Sequence, residues 1–327
     1  MPPVSEMTAA DLVLRPATLD DAAFAADMYT ELQPDDPEDP LLWRHWWATA
    51  DPSSTVRRYV ALHGGKPAGL AGIQHSAWAK MPERYARVIG EVAKAIRTPE
   101  RIGALLALSE DLATRDDARH ATTWAWEWDR LRVEVLLGRG YREERRERFW
   151  ELDLAANRAR LEEMTLASRE SMRDQGIRVL TVADDHDPEK YRKIWAMSEE
   201  ASQDTPRTVP WVPTPFEVFM TWLKDPGIRE DRMWIARIGD DIVGISVLNY
   251  PPERGVVATD WTGTARSVRG KGVARALKCE TVMQASALGV DRVRTDNDSK
   301  NKPILHINDS MGYRPRPEMI QLIKALV

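Results

Sequence analysis

The feature that most constrains this chain is that it repeats itself. Thr123 to Arg142 reads TWAWEWDRLRVEVLLGRGYR, and Thr295 to Arg314 reads TDNDSKNKPILHINDSMGYR. Thr123 and Thr295, Gly140 and Gly312, and Tyr141 and Tyr313 all stand 172 residues apart. The same offset brings Arg97 onto Arg269 and Ala104-Leu105 onto Ala276-Leu277. Upstream, Tyr59 to Gly72 (YVALHGGKPAGLAG) resembles Trp234 to Val247 (WIARIGDDIVGISV). Each is an apolar run, a glycine turn and a second apolar run, the pattern of a hairpin. A fixed period over such a distance implies two copies of one supersecondary plan. At 327 residues the chain is also longer than one hydrophobic core usually serves.

The second copy spells the plan most clearly. Arg178 to Ala183 reads as a strand, Pro188 to Gln203 as a helix, and Phe216 to Lys224 as a short helix after a proline-rich loop. Met233 to Ile238 and Ile242 to Tyr250 form the hairpin, followed by a strand over Gly255 to Thr264. A helix over Gly272 to Leu288, a strand at Arg292 to Thr295 and a helix over Pro303 to Met311 complete it, with Gly312 placed to end the last helix. Ala155 to Gln175 is charged and helical in composition. The expected division is therefore residues 1–154, a linking helix at 155–174, and residues 175–327. Trp124, Trp126 and Trp128 alternate with Ala125 and Glu127, which is strand periodicity and suits core packing or an aromatic wall.

Arg269-Gly270-Lys271-Gly272-Val273-Ala274 lies between strand and helix. Glycines there allow a backbone to approach an anion, and the first N–H groups of the helix point at it. Neither the GxxxxGK[ST] nor the GxGxxG spacing is met. The loop resembles motif A of the GNAT superfamily of N-acetyltransferases, through Arg269, Gly272 and Ala274, with Asn301, Asn308 and Gly312-Tyr313 at the family's downstream spacing. The resemblance spans the C-terminal half and, weakened, residues 11–154.

It implies an α/β (α+β) chain of two tandem GNAT folds, each a mixed, mostly antiparallel central sheet flanked by helices. It also implies acetyl-CoA as acyl donor, with no metal. The N–H groups from Gly270 to Ala274 would hold the pyrophosphate, helped by the charges of Arg269 and Lys271. The backbone of Thr262, Gly263 and Thr264 would pair with the pantetheine arm, and Asn301 would meet the arm at the last helix, unless it is only a helix cap. Asn308 stands where many relatives have a tyrosine that protonates the leaving thiolate; an amide can hydrogen-bond a thiolate but cannot protonate it. Ala258 replaces a glutamate that many relatives carry, and Asp260, on the same side of the strand, is the candidate base or else a paired strand-end acid. Glu200, Asp204 and Trp211 are the expected acceptor-side residues, suited to a cationic amine. The expected function is an acyl-CoA-dependent N-acyltransferase acting on the amine of a small molecule. The alternatives are another donor, such as an aminoacyl group, or a CoA sensor without catalysis.

In the first copy the loop reads Arg97-Thr98-Pro99-Glu100-Arg101-Ile102. Glu100 would oppose a pyrophosphate and Pro99 removes a donor, so this copy is expected not to bind CoA in the standard way. Other expectations are broader. A net charge of −5 disfavours a general nucleic-acid partner. No apolar run long enough to span a bilayer and no basic-then-apolar N-terminus is present, and the single cysteine, Cys279, fits a reducing, cytoplasmic setting. The six histidines show no metal-ligand spacing. A monomer or a homodimer is expected.

Overall fold

The computed structural model describes residues 8–326. Residues 1–7, the start of the stretch read above for a signal, and residue 327 lie outside the described residues. In chain order the first copy holds β1 (Thr8–Ala9), β2 (Leu12–Pro16), α1 (Asp21–Leu32), α2 (Pro40–Ala48), β3 (Ser54–His63), β4 (Lys66–Ser76), β5 (Tyr85–Val92), α3 (Pro99–Arg115), β6 (His120–Trp126), α4 (Arg130–Gly138) and β7 (Arg142–Asp153). After α5 (Arg158–Asp174) come β8 (Arg178–Thr181), α6 (Lys190–Gln203), α7 (Phe216–Trp222), β9 (Met233–Ile238), β10 (Asp241–Asn249), β11 (Ala258–Thr264), α8 (Val273–Ala287), β12 (Arg292–Asp298), α9 (Lys302–Met311), β13 (Arg314–Pro315) and β14 (Met319–Ala325). The second-copy elements fall within a few residues of the positions that periodicity and turn residues predict. Gly312 ends α9 at φ +94°, a left-handed conformation that a side chain would strain.

Two compact units result. One comprises residues 1–147, 208–212 and 317–327; the other comprises 148–207 and 213–316. In the first, β1 to β6 lie side by side in chain order, and β14 then fits between β6 and the beginning of β7. β14 runs antiparallel to both, with Met319 opposite Trp126 on one side and Glu147 on the other. The sheet carries α3 and α4 over a core of Ile102, Leu105, Leu106 and Leu136. A second cluster joins Ala25 and Met28 of α1 to Val60 and Leu70, with Trp43 and Trp47 of α2 packed against it. Trp126 is buried, whereas Trp128, past the end of β6, is 48% exposed.

In the second unit the strand order is the end of β7, then β12, β11, β10, β9, β8. All adjacent pairs from β8 to β11 are antiparallel, while β11 and β12 are parallel. Every residue of β10 from Ile242 to Asn249 is buried, the pattern of a strand covered on both faces. α6 packs on β10 and β11, and α8 packs on β9, β10 and β11. Gly244 permits the close approach of α8: a Cβ there would stand 2.9 Å from both Leu277 Cδ1 and Val273 Cγ1. Among the described residues, no helix is long and apolar enough to cross a membrane.

Candidate active site

The anion loop follows β11 through a short 3-10 turn at Arg266–Val268. Gly270 and Gly272 adopt φ +76° and +84°. A Cβ on Gly270 would meet nothing, and one on Gly272 would come no closer than 3.7 Å to Arg275 Nη2, so conformation rather than space demands these glycines. Helix geometry leaves the N–H groups of Val273, Ala274 and Arg275 without partners inside α8, and Gly272 has no side chain to cap them. The positive end of the α8 dipole points the same way. Lys271 does not offer its N–H, which donates to Val268 O at 3.2 Å, while Gln175 braces the loop by donating to Lys271 O at 3.1 Å.

The charges around this loop are arranged in a way the sequence did not disclose. Arg269 Nη1 donates to Asp204 Oδ2 at 2.6 Å, and Arg266 donates to the same carboxylate through Nε at 2.7 Å and Nη2 at 2.8 Å. Arg266 and Arg269 together hold the Asp204 carboxyl well below the usual carboxylate range. Glu200 Oε1 accepts the Arg266 backbone N–H at 2.6 Å. Glu200 and Asp204 thus stand at the end of α6 beside the loop, engaged by its arginines. Trp211 lies in the segment 208–212 that belongs to the first unit.

The two parallel strands beside the loop part company. β11 and β12 are in register only at Ala258↔Arg294, where Arg294 N–H donates to Val257 O at 2.9 Å. Beyond that point β11 continues to Thr264 bonded to β10 on its other side. Among the described residues the facing edge of Thr262 to Thr264 is therefore unpaired, a strand edge to which an extended ligand with amide groups can add. Thr262 Oγ1 and Ser246 Oγ are 2.9 Å apart across β10 and β11. In the same strand Val247 faces Trp261 and Leu248 faces Thr259, which leaves Asp260 as the extra residue of a β-bulge.

Asp260 Oδ2 accepts a hydrogen bond from Trp222 Nε1 at 2.8 Å. The side chain still reaches solvent, but protein crowds the carboxylate and weakens its hydration. That raises its pKa to about 6; the Trp222 bond pulls it down and the nearby Asp225 pushes it up. A carboxylate with such a pKa can accept a proton near neutral pH.

Asn301 occupies the N-cap position of α9, yet its side chain makes no capping bond. Asn308 is completely buried and donates through Nδ2 to Asn297 Oδ1 at 2.7 Å. Among the described residues its Oδ1 has no hydrogen-bond partner, nor has the buried Trp261 Nε1. Sequence reasoning missed Lys278. This α8 residue is 1% exposed, with Nζ 5.2 Å from the centre of the Tyr313 ring. Burial pushes its ammonium pKa down to about 8, against the pull of Cys279 and Asp296.

The corresponding places in the first unit are filled by the protein itself. Thr98 caps α3 by accepting the Arg101 N–H at 3.3 Å, and Pro99 supplies no donor. Glu100 lies in the first turn, where its own N–H and then Thr98 lower its carboxyl pKa. Arg132 spans the gap between β5 and β6, donating to Gly90 O at 2.6 Å and to Trp124 O at 3.0 Å. It also pairs with Glu91 at 2.9 Å, and Arg97 bridges Glu91 to Asp129, at 2.9 and 2.6 Å. A helix terminus with its own anion and a strand gap bridged by guanidinium groups set the first unit apart from the second.

Residues 194–313 match the family model of the acetyltransferase (GNAT) family. Among solved structures, a tandem GNAT protein from the clavulanic acid biosynthesis pathway is similar over 97% of this chain and 99% of its own, at 15% identity and a TM-score of 0.70. A GCN5-related N-acetyltransferase from Sphaerobacter thermophilus is similar over 98% of this chain and 97% of its own, at 17% identity and a TM-score of 0.65. A glucosamine N-acetyltransferase region of a fungal multi-domain β-N-acetylglucosaminidase covers 97% of this chain with 38% of its own, at 10% identity and a TM-score of 0.64. No curated protein matches the chain in sequence. The fold is that of the tandem GNAT proteins. The stretch 194–313, which carries the open loop, is similar to the GNAT acetyltransferases, a family that typically uses acetyl-CoA.

Proposed function

We propose that the chain is an acyl-CoA-dependent N-acyltransferase that works from its second unit, with acetyl-CoA as donor and the amine of a small molecule as acceptor. The observation that carries this reading is the open N-terminus of α8, without a side-chain cap, beside the point where β11 leaves β12. A pyrophosphate and an amide-bearing arm need those two features together. The donor supplies an activated thioester. Gly270, Gly272, Val273 and Ala274 direct backbone N–H groups at the pyrophosphate, and Arg269 and Lys271 add positive charge. Thr262, Gly263 and Thr264 pair with the arm, and an N–H of this segment stabilises the oxyanion. Asp260 removes the proton from the attacking amine, directly or through water, and its raised pKa suits that task. Asn308, expected from sequence to hydrogen-bond the departing thiolate, is completely buried with its Nδ2 given to Asn297, so the thiolate leaves protonated by solvent or by another group.

Release of CoA thiol from acetyl-CoA, followed across a panel of primary amines, tests the reading. Amine-dependent release above background supports it. Release only with an aminoacyl or longer-chain donor would replace the donor assignment, and CoA binding without release under any pairing would overturn catalysis.

A further inference from the structure

The first unit carries two guanidinium groups that its own acids do not use. The register places Val56, Gln74 and Arg87 in one row across β3, β4 and β5, and Arg58, Gly72 and Ile89 in the adjacent row. Residues two apart along a strand share a face, so Arg58 and Arg87 project from the same side of the sheet. Ile89 and Val60, on that side, pack with Trp43 and Trp47 of α2. Arg58 lies over the Trp47 ring, 4.9 Å from its centroid. Beside it is a cavity of about 340 Å³ lined by Ala17, Thr18, Leu19, Trp47, Val56 and Arg58.

The neighbouring acids are already engaged. Asp21 is held by Arg15 at 2.6 Å and by the Thr18 N–H at 2.7 Å. Asp20 pairs with Arg44 at 3.0 Å, and Glu38 accepts from Trp43 Nε1 at 2.9 Å. Among the described residues neither the Arg58 nor the Arg87 guanidinium has an ion pair or a hydrogen bond, although both backbones are paired in the sheet. Most other arginines of this unit are paired, as Arg57, Arg84, Arg97, Arg101 and Arg139 are. Burial depresses the Arg58 pKa, and the like charge of Arg87 on the same face of the sheet depresses it further. Keeping a half-buried guanidinium against a second cation without a carboxylate is unfavourable in the unliganded protein. An anion reverses the sign of that interaction, because the planar fork of arginine matches carboxylate and phosphate oxygens.

We propose that Arg58, Arg87 and Trp47 form a binding site for a small organic anion, with its carboxylate or phosphate on the two arginines and its apolar body among Ala17, Leu19, Val56 and Trp47. The site lies in the unit whose helix-terminus loop is filled by Glu100, and it is independent of the CoA assignment. The cavity volume falls at the small end of the range for small-molecule sites.

Titration calorimetry of the full chain with benzoate and with phenyl phosphate tests this, with cyclohexylamine as a cationic control. One of the two anions is expected to bind and the amine is not, and the stronger anion identifies the head group. Arg58→Met, which keeps an apolar stem over Trp47, should weaken binding by about tenfold or more, the loss of one charge-assisted contact. Arg87→Gln should weaken it as well, whereas Gly272→Glu in the other unit should leave it unchanged. Thermal unfolding of each variant confirms that it folds, and Arg58→Lys, retaining charge without the fork, provides a gentler change of intermediate effect. Absence of binding by both anions, binding that survives Arg58→Met and Arg87→Gln in folded protein, or binding lost in Gly272→Glu would each overturn the proposal.

Discussion

Replacing Lys278 with methionine should stabilise the protein, in a manner that depends on pH. Lys278 is fully buried, its ammonium meets the Tyr313 ring, and burial moves its pKa from 10.5 to about 8. The sign follows from protonation. Between about pH 8 and 10.5 the unfolded chain binds the proton that the folded chain has released, so native stability rises with pH across that window. Below it the folded state carries the whole penalty, about 3 kcal/mol at 1.36 kcal/mol per pKa unit, and about half of that remains at pH 9.5. Methionine keeps the length and apolar body of the lysine stem, and loses a cation–π contact worth about 1 kcal/mol. The corresponding residue of the first copy, Leu106, is apolar and fully buried. The assay is urea unfolding of both proteins at pH 7 and pH 9.5, taking the difference in stability at each pH so that other titrations cancel. The advantage of the Lys278→Met protein should shrink by about 2 kcal/mol between the two pH values. A difference that does not change with pH, or one that favours the lysine at pH 7, would refute the reasoning.

Asp260→Asn should lower kcat by about a hundredfold or more while leaving CoA affinity unchanged, and the wild-type rate should rise through an acidic limb near pH 6, because the base acts only when ionised; an unchanged rate and profile would assign the proton to another group. Arg132→Met should destabilise the first unit by about 3–5 kcal/mol, since Glu91 is left buried with one fewer counter-charge, without altering CoA affinity. Urea unfolding and calorimetry on the same preparation separate the two effects. A fragment of residues 173–327 should aggregate, because β14 loses β6 and β7, the strands that pair both of its edges; a stable, monomeric, fully active fragment would contradict this.

Local chemistry was legible in the sequence and long-range geometry was not. Gly270, Gly272 and Gly312 announce positive φ because little else tolerates it, and the hairpin of β9 and β10 follows from two apolar runs around Gly239-Asp240. Asp260 can be placed on its strand, but the bulge that sets it apart depends on the register with β10, and Trp222 arrives from a helix 38 residues away. Glu200 and Asp204 read as acids available to a cationic acceptor; their engagement with Arg266 and Arg269 depends on where the end of α6 comes to rest, which no local pattern encodes. Lys278 follows Ala276-Leu277 on the helix after the anion loop, and nothing local marks it as buried. Aligning the copies would have exposed it, since the same offset that pairs Arg97 with Arg269 sets it against the buried Leu106. The Arg132 network was hidden for a related reason. Its partners Gly90, Glu91 and Trp124 come together only when β5 and β6 diverge.

The central claim is the asymmetry between the copies: one helix terminus open to a pyrophosphate, the other filled by Thr98 and Glu100. Calorimetric titration of the full chain with CoA measures it most directly. One site per chain is expected, abolished by Gly272→Glu, which forces a side chain onto φ +84° and puts a carboxylate at the proposed phosphate position. Two equivalent sites per chain, or a single site that survives Gly272→Glu in folded protein, would contradict it.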